Sequence, residues 1–360
     1  MKSVSGRGTV YNKLYDEETW EKVSRENKEL LEGYIDYMKA SDSAESTLHQ
    51  YFQVVRLFLC WNYKFNNDTL FVELKKRHLV KFFCYMNEDM KCSPNRIAMV
   101  KSVLSSFSNY IETVLDDEYE DFTNIITKLK TPVKQPIREK TVVDEKELKK
   151  CLDTLTKQGK LQAACYLALA AASGARKQEL LRFKVDYFKP ENIVFGCLYK
   201  TPEKIKTKGR GSTGKLLNKY VFVNMFQPYF DRWMAYRKEH NIECEWLFIK
   251  GLRDGNVRCA TTDNADDWCT LIGHILGRPF YSHSMRHYWT TMCTKANLPT
   301  EIIRELQGWN STEMCSLYSD IDTADLLGDF FDENGIKQNN TQTNMFDSFN
   351  TQSNKGRKGR

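Results

Sequence analysis

Residues 279–320 read PFYSHSMRHYWTTMCTKANLPTEIIRELQGWNSTEMCSLYSD, and the rest of the chain is interpreted around them. His283 and Arg286 stand three apart, one helical turn, so both side chains can reach the same spot. Trp309, preceded by Gly308, comes 23 residues after Arg286, and Tyr318 nine residues after that. Ser282 is placed to cap a helix over 283–297, Thr300 one over 301–306, and Ser311 a short one leading to Tyr318. Taken singly, each residue has an ordinary explanation: a satisfied histidine, a surface arginine, a core tryptophan, a half-buried phenol. The ordered set at this spacing is much rarer.

An earlier stretch, SGARKQELLRF over 173–183, belongs with it. Residues 161–173 are Ala-rich and almost wholly apolar, which predicts a buried helix that Gly174 ends. Arg176 then opens the next helix beside a buried element and needs an anionic partner, either Glu179 one turn on or a phosphate. With SGARKQELLRF, HSMRH, QGW and Tyr318 in this order, the chain resembles the tyrosine recombinases, the phage-integrase, Xer, Cre and Flp family, over roughly residues 43–331.

The resemblance gives Arg176 the role of the family's first arginine and Glu179 that of the supporting acidic residue. His283 and Arg286 take the His-x-x-Arg roles, Trp309 the sixth position, and Tyr318 that of nucleophile. The family lysine lies on a β-hairpin. Lys208 is the first choice and Lys206 the second, since KTKG over 206–209 fits either way and the hairpin is longer than usual. Trp309 departs from the commoner histidine, although Cre and Flp also carry Trp there. It is expected to pack and to donate one indole hydrogen bond.

By the same resemblance the fold is mainly α with a small β-hairpin or sheet (α+β). A helical-bundle, SAM-like core-binding domain and a catalytic domain would form a C-shaped clamp on DNA. Tyr318 would cleave one strand to a 3′-phosphotyrosine and a free 5′ hydroxyl, and rejoining would need no ATP, metal or cofactor. The implied partner is double-stranded DNA, held by a homo-tetramer on two duplexes through a last helix over 323–332 (Leu326, Leu327, Phe330 and Phe331 apolar). The implied setting is cytoplasmic and nucleoid-associated, in integration or transposition of a mobile element.

Elementary chemistry agrees. Attack on phosphorus builds negative charge on the non-bridging oxygens, and fixed cationic donors stabilise it. Arginine suits the task because its planar fork grips two oxygens. A free phenol ionises near pH ~10 and needs nearby cations or a base, which two arginines and a histidine supply. A hairpin lysine can protonate the leaving 5′ oxygen. Type IB topoisomerases share this chemistry, and a non-catalytic DNA-binding protein could use the same scaffold. A metal-dependent nuclease is disfavoured because Asp and Glu do not cluster near His283.

The remaining sequence divides at 40, 128, 142 and 332. Residues 1–40 form an extension with a charged helix over 17–40. In the core-binding domain, 41–128, Ser41-Asp42-Ser43 signals a helix whose stripe is Leu48, Tyr51, Phe52, Val55, Phe58 and Leu59. Further helices are expected over 77–89, after Ser93-Pro94, and over 120–128. Residues 129–142 are a basic linker, with Lys130, Lys134 and Arg138 facing phosphates. The catalytic domain takes 143–332, opened by a capping box at Asp144 and Glu147. It holds strands over 193–199 and 220–223 around an insert whose Lys200, Lys204, Lys206 and Arg210 are read as DNA-facing, with Lys215 and Lys219 in the same run. A polar, disordered tail over 333–360 closes the chain. Eleven cysteines without a CxxC pair argue for a reducing interior. The net charge of +6 is modest, and no apolar run is long enough to span a membrane.

Overall fold

The computed structural model describes residues 16–130, 142–209, 211, 213–251, 255–319, 331–332 and 335–336. Residues 16–130 belong to one compact unit, and 142–208 with 215–319 to a second.

The first unit is helical. Asp16 caps α1, Glu17–Lys22, by accepting the Thr19 amide at 2.6 Å. The single helix expected over 17–40 is split: α2 is Arg25–Ala40, and the chain turns at Val23-Ser24. The cause is tertiary, for the Ser24 amide donates to Asp68 Oδ2 at 2.7 Å. Helix α3, Glu45–Phe65, starts later than the serines at 41–43 suggest. Asp42 adopts a left-handed φ of 54°, and the Ser43 amide returns to Met38 O at 3.1 Å. Residues 41–43 therefore close α2 instead of opening α3. Helices α4, Lys76–Glu88, and α5, Pro94–Val114, follow, the latter capped by Ser93 with Pro94 in the first turn. Val23, Leu31, Tyr34, Val55, Phe58, Phe82 and Phe107 share one buried core, so the N-terminal segment is part of this bundle. No helix forms over 120–128. Asn124 prevents it, donating to Ser105 O and Asn109 Oδ1 while its own oxygen accepts the Ile126 amide at 3.0 Å.

The second unit opens with α6, Glu145–Lys157, whose capping box of Asp144 and Glu147 forms as the sequence indicates. Helix α7, Leu161–Ser173, is buried and packs on α6, on α9, Val223–Glu239, and on α11, Ser282–Lys295. Gly174 ends α7 at φ +60°. A Cβ there would lie 2.7 Å from Gln307 Nε2 and 2.9 Å from Trp289 Cγ, so only glycine fits. The short α8, Lys177–Leu180, follows at once. Helix α10, Thr262–Leu276, ends at Gly277, and α12, Thr300–Gln307, ends at Gly308. Helix α13, Glu313–Tyr318, carries the candidate nucleophile at its last residue. The N-caps of α11, α12 and α13 are Tyr281, Pro299 and Thr312, each one residue from the expected cap or, for α13, just after Ser311.

The β part is small. Strands β1, Ile193–Val194, and β2, Leu198–Lys200, are joined by a turn, so the strand expected over 193–199 is interrupted at Phe195-Gly196, both left-handed. Next come β3, Ile205–Thr207, β4, Lys215–Leu217, and β5, Tyr220–Phe222. One antiparallel sheet has the order β1-β2-β5, and β3 pairs separately with β4. The two ladders break between the pairs Lys200↔Tyr220 and Ile205↔Leu217. Four residues, 201–204, therefore stand opposite two, 218–219, and the basic insert is a bulged ribbon with ordered edges. Two further two-residue ladders, β6, Ile249–Lys250, with β7, Arg258–Cys259, and β8, Phe331–Asp332, with β9, Gly335–Ile336, complete the described elements. The last pair corrects the expected 323–332 helix at its end: Phe331 and Asp332 are extended and pair with Ile336 and Gly335. Positions 320–330 of that expectation, including Leu326, Leu327 and Phe330, lie outside the described residues. So do Lys134, Arg138, Arg210 and the tail beyond 336. Among the described residues no helix is long and apolar enough to cross a membrane.

Candidate active site

The Gly174 turn delivers Arg176 to the head of α8. Its amide donates to Glu179 Oε2 and its Nη1 to Glu179 Oε1, both at 3.0 Å. Glu179 is 2 % exposed at its side chain and receives a second cation, Lys219, with Nζ 2.8 Å from Oε2. Burial alone would raise the Glu179 carboxyl. Lys219 and Arg176 outweigh it and hold the group below the ordinary carboxylate value. For Lys219 burial prevails, helped by the charges of Arg286 and Arg176, and its ammonium lies below the ordinary lysine value.

Arg286, on α11, is fully buried. Its Nη1 donates to Gly174 O at 2.9 Å and its Nη2 to Gln307 O at 3.1 Å. The guanidinium also lies 4.9 Å from the Trp309 ring and 5.6 Å from the Tyr318 ring. Burial and the neighbouring Arg176 pull its pKa down to about 10, so it stays charged at neutral pH. The two arginines, 110 positions apart in sequence (286 − 176), thus stand close enough to feel each other's charge. Arg286 Nε and the Trp309 indole Nε1 are buried donors with no hydrogen-bond partner among the described residues. The indole hydrogen bond expected of Trp309 is therefore not made among the described residues.

Tyr318 closes the cluster. Its hydroxyl lies 2.8 Å from His283 Nε2. Its ring stacks on Trp309, centroids 4.9 Å apart at 14°, and touches His287 at 4.8 Å. Crowding by protein around the imidazole, then the charges of Arg286, His287 and Arg176, push the His283 pKa down to about 4. The ring is neutral at pH 7, so Nε2 can accept the phenolic proton.

Of the sequence-predicted residues, the structure brings together Arg176, Glu179, His283, Arg286, Trp309 and Tyr318. Lys206 and Lys208 are exposed, while Ile205 and Thr207 between and beside them are buried. Lys130, Lys200 and Lys204 are exposed. Lys219 is the departure: it belongs by sequence to the basic insert read as DNA-facing, yet it is buried beside Glu179. A signal existed. Side chains alternate along a strand, and Val221 is buried, so Lys219 two residues earlier falls on the same face.

The depressed His283 value carries a sign. Between pH about 4 and about 6.5 an unfolded chain binds this proton and the native one does not, so the residue's contribution to stability rises with pH across that window and is complete above it. Titration of the ring protons by NMR should show a midpoint near 4 for His283 in the free protein. A midpoint above ~6, the range of an unperturbed imidazole, would mean the ring is not crowded as described.

Residues 141–324 match the sequence profile of the phage integrase family, and residues 30–121 that of the phage integrase N-terminal SAM-like domain. The SPbeta prophage-derived recombinase-like protein YomM of Bacillus subtilis (strain 168) is 28% identical over 274 residues, covering 74% of this chain and 78% of that protein. Among solved structures, XerH site-specific recombinase bound to palindromic difH substrate is similar with a TM-score of 0.60 at 14% identity, covering 89% of both chains. A lambda integrase dimer bound to a COC' core site gives 0.59 at 14% identity, covering 81% of this chain and 77% of that one. The Tn1549 transposon integrase in complex with circular intermediate DNA gives 0.56 at 15% identity, covering 82% and 96%. At these identities the structural likenesses establish a shared fold.

Proposed function

Because the chain belongs to the phage integrase family, we propose that it is a site-specific tyrosine recombinase that cuts and rejoins DNA through Tyr318. The observation that carries this is a half-furnished anion basin. Arg286 Nε and Trp309 Nε1 are buried and unpartnered, beside Arg176 and directly against the phenol of Tyr318. What singles these two out among the buried unpaired polar atoms is their place beside two arginines and a phenol, where an anion would complete them. A phosphodiester would, through its non-bridging oxygens.

The chemistry follows. Tyr318 Oη attacks phosphorus as its proton passes to His283 Nε2, 2.8 Å away. The P–Oη bond forms and the bond to the 5′ oxygen breaks, leaving a 3′-phosphotyrosine. The departing 5′ oxygen takes up a proton, for which Lys208 or Lys206 on the basic ribbon is the proposed donor. Arg176 and Arg286 stabilise the charge that builds on the pentavalent phosphorus. A new 5′ hydroxyl reverses the step without an energy source, because the ester conserves the bond.

DNA is the proposed partner. The similar XerH, lambda and Tn1549 proteins were solved on DNA, lambda integrase as a dimer. Exchange between two duplexes cuts and rejoins four strands, one for each nucleophile, which is the ground for proposing four protomers. The exposed Lys130, Lys200, Lys204 and Lys206 are proposed to meet the backbone.

The test is a pool of nicked duplexes with randomised flanks, incubated with the protein and EDTA and then denatured in SDS. Covalent adducts are expected, undiminished by the chelator, since guanidinium groups take the place of metal ions. Products joining two different duplexes distinguish recombination from type IB relaxation. Nicking that leaves no protein on the DNA and stops in EDTA would point to a metal-dependent nuclease instead.

A further inference from the structure

The lysines that the family resemblance puts forward are exposed, whereas Lys219 is a buried cation inside the site. Its backbone is fixed independently of its side chain: the Lys219 amide donates to Thr201 Oγ1 and its carbonyl accepts the Thr201 amide, both at 2.9 Å. The bulge at 201–204, opposite 218–219, sets this register and turns the side chain to the face of Val221. Its Nζ meets Glu179, the same carboxylate that holds Arg176. Stability does not explain the arrangement, because desolvating two charges roughly offsets their attraction and an apolar pair of equal volume does as well.

We propose that Lys219 is a positioning residue for strand cleavage: by neutralising Glu179, it lets that carboxylate aim Arg176 without cancelling the arginine's charge toward the scissile phosphate. The proposal rests on the recombinase reading above. A count of charges makes it concrete. Arg176, Arg286 and Lys219 stand against Glu179, leaving two net positive charges around the basin. Lys219→Met leaves one. Lys219→Met combined with Glu179→Gln restores two.

A nicked duplex recovered from the pool is synthesised in two forms, with a phosphodiester or a methylphosphonate at the cleaved position. The methylphosphonate is neutral, so its transition state carries one negative charge fewer and leans less on the arginines. On the phosphodiester, Lys219→Met should slow single-turnover adduct formation at saturating DNA about 100-fold, the scale of losing one fixed charge donor, with affinity changed less than ~3-fold. On the methylphosphonate the loss should shrink to ~5-fold or less, and the double variant should regain at least ~10-fold on the phosphodiester. If Lys219→Met does not fold, Lys219→Gln keeps a donor for Glu179 without the charge, and the same substrate-dependent loss is expected of it. Equal losses on both substrates, with wild-type adducts intact, overturn the role of Lys219 alone. No adduct from the wild-type chain on either substrate overturns the recombinase reading and this role with it.

Discussion

Tyr318→Phe abolishes the covalent protein–DNA adduct, a loss of at least ~10⁴-fold in cleavage, and leaves DNA affinity within about twofold. The substitution removes one oxygen. The ring keeps its stack on Trp309 at 4.9 Å and its contact with His287 at 4.8 Å. What disappears is the 2.8 Å hydrogen bond to His283, a partly exposed one that contributes about 1 kcal/mol to stability at most. Folding and binding should therefore survive while chemistry does not. The measurement is adduct formation on an SDS gel beside a binding isotherm on the same duplex. An SDS-resistant adduct from the Phe variant would mean that another residue attacks.

Arg286→Lys is expected to lose both catalysis and stability, and Arg286→Ala more of each. The guanidinium is fully buried and serves two carbonyls, Gly174 O and Gln307 O, in fixed directions. An ammonium keeps the charge but cannot span both acceptors and still present a donor to phosphate. Each buried carbonyl left without its donor costs about 1–3 kcal/mol, so the Ala variant should lose several kcal/mol and melt well below the parent. Losing a preorganised donor at the developing charge should slow cleavage by about 10²–10³-fold in the Lys variant, measured where it is fully folded. Cleavage by Arg286→Lys within threefold of the parent would remove Arg286 from the chemistry and leave it only a structural clamp.

What the sequence discloses is what short-range physics decides. Ser93-Pro94, Asp144 with Glu147, Gly174 and Gly277 mark helix ends because caps and left-handed turns are settled within a few residues. The meeting of Arg176, His283, Arg286 and Tyr318 is not local. It was legible only because the ordered set resembles a family. Where a distant contact overrides local preference, the reading failed. Ser24 breaks a continuous helical pattern because it is tied to Asp68, 44 positions on. Asn124 spends its side chain on α5 and leaves 120–128 as turns. Lys219 reads like one more cation in a basic loop; its two-residue spacing from Val221 is the one local hint that it faces inward, and the bulged pairing of the ribbon fixes that register.

The two carbonyls held by Arg286 have a consequence for biosynthesis. Gly174, Arg286 and Gln307 must all have left the ribosome before the knot can be tied, and the nucleophile at 318 emerges later still. A nascent or truncated polypeptide ending before that point carries arginines and a histidine but no assembled blade. A polypeptide that stops short of Tyr318 would, on the proposed mechanism, have the cationic groups without the attacking oxygen.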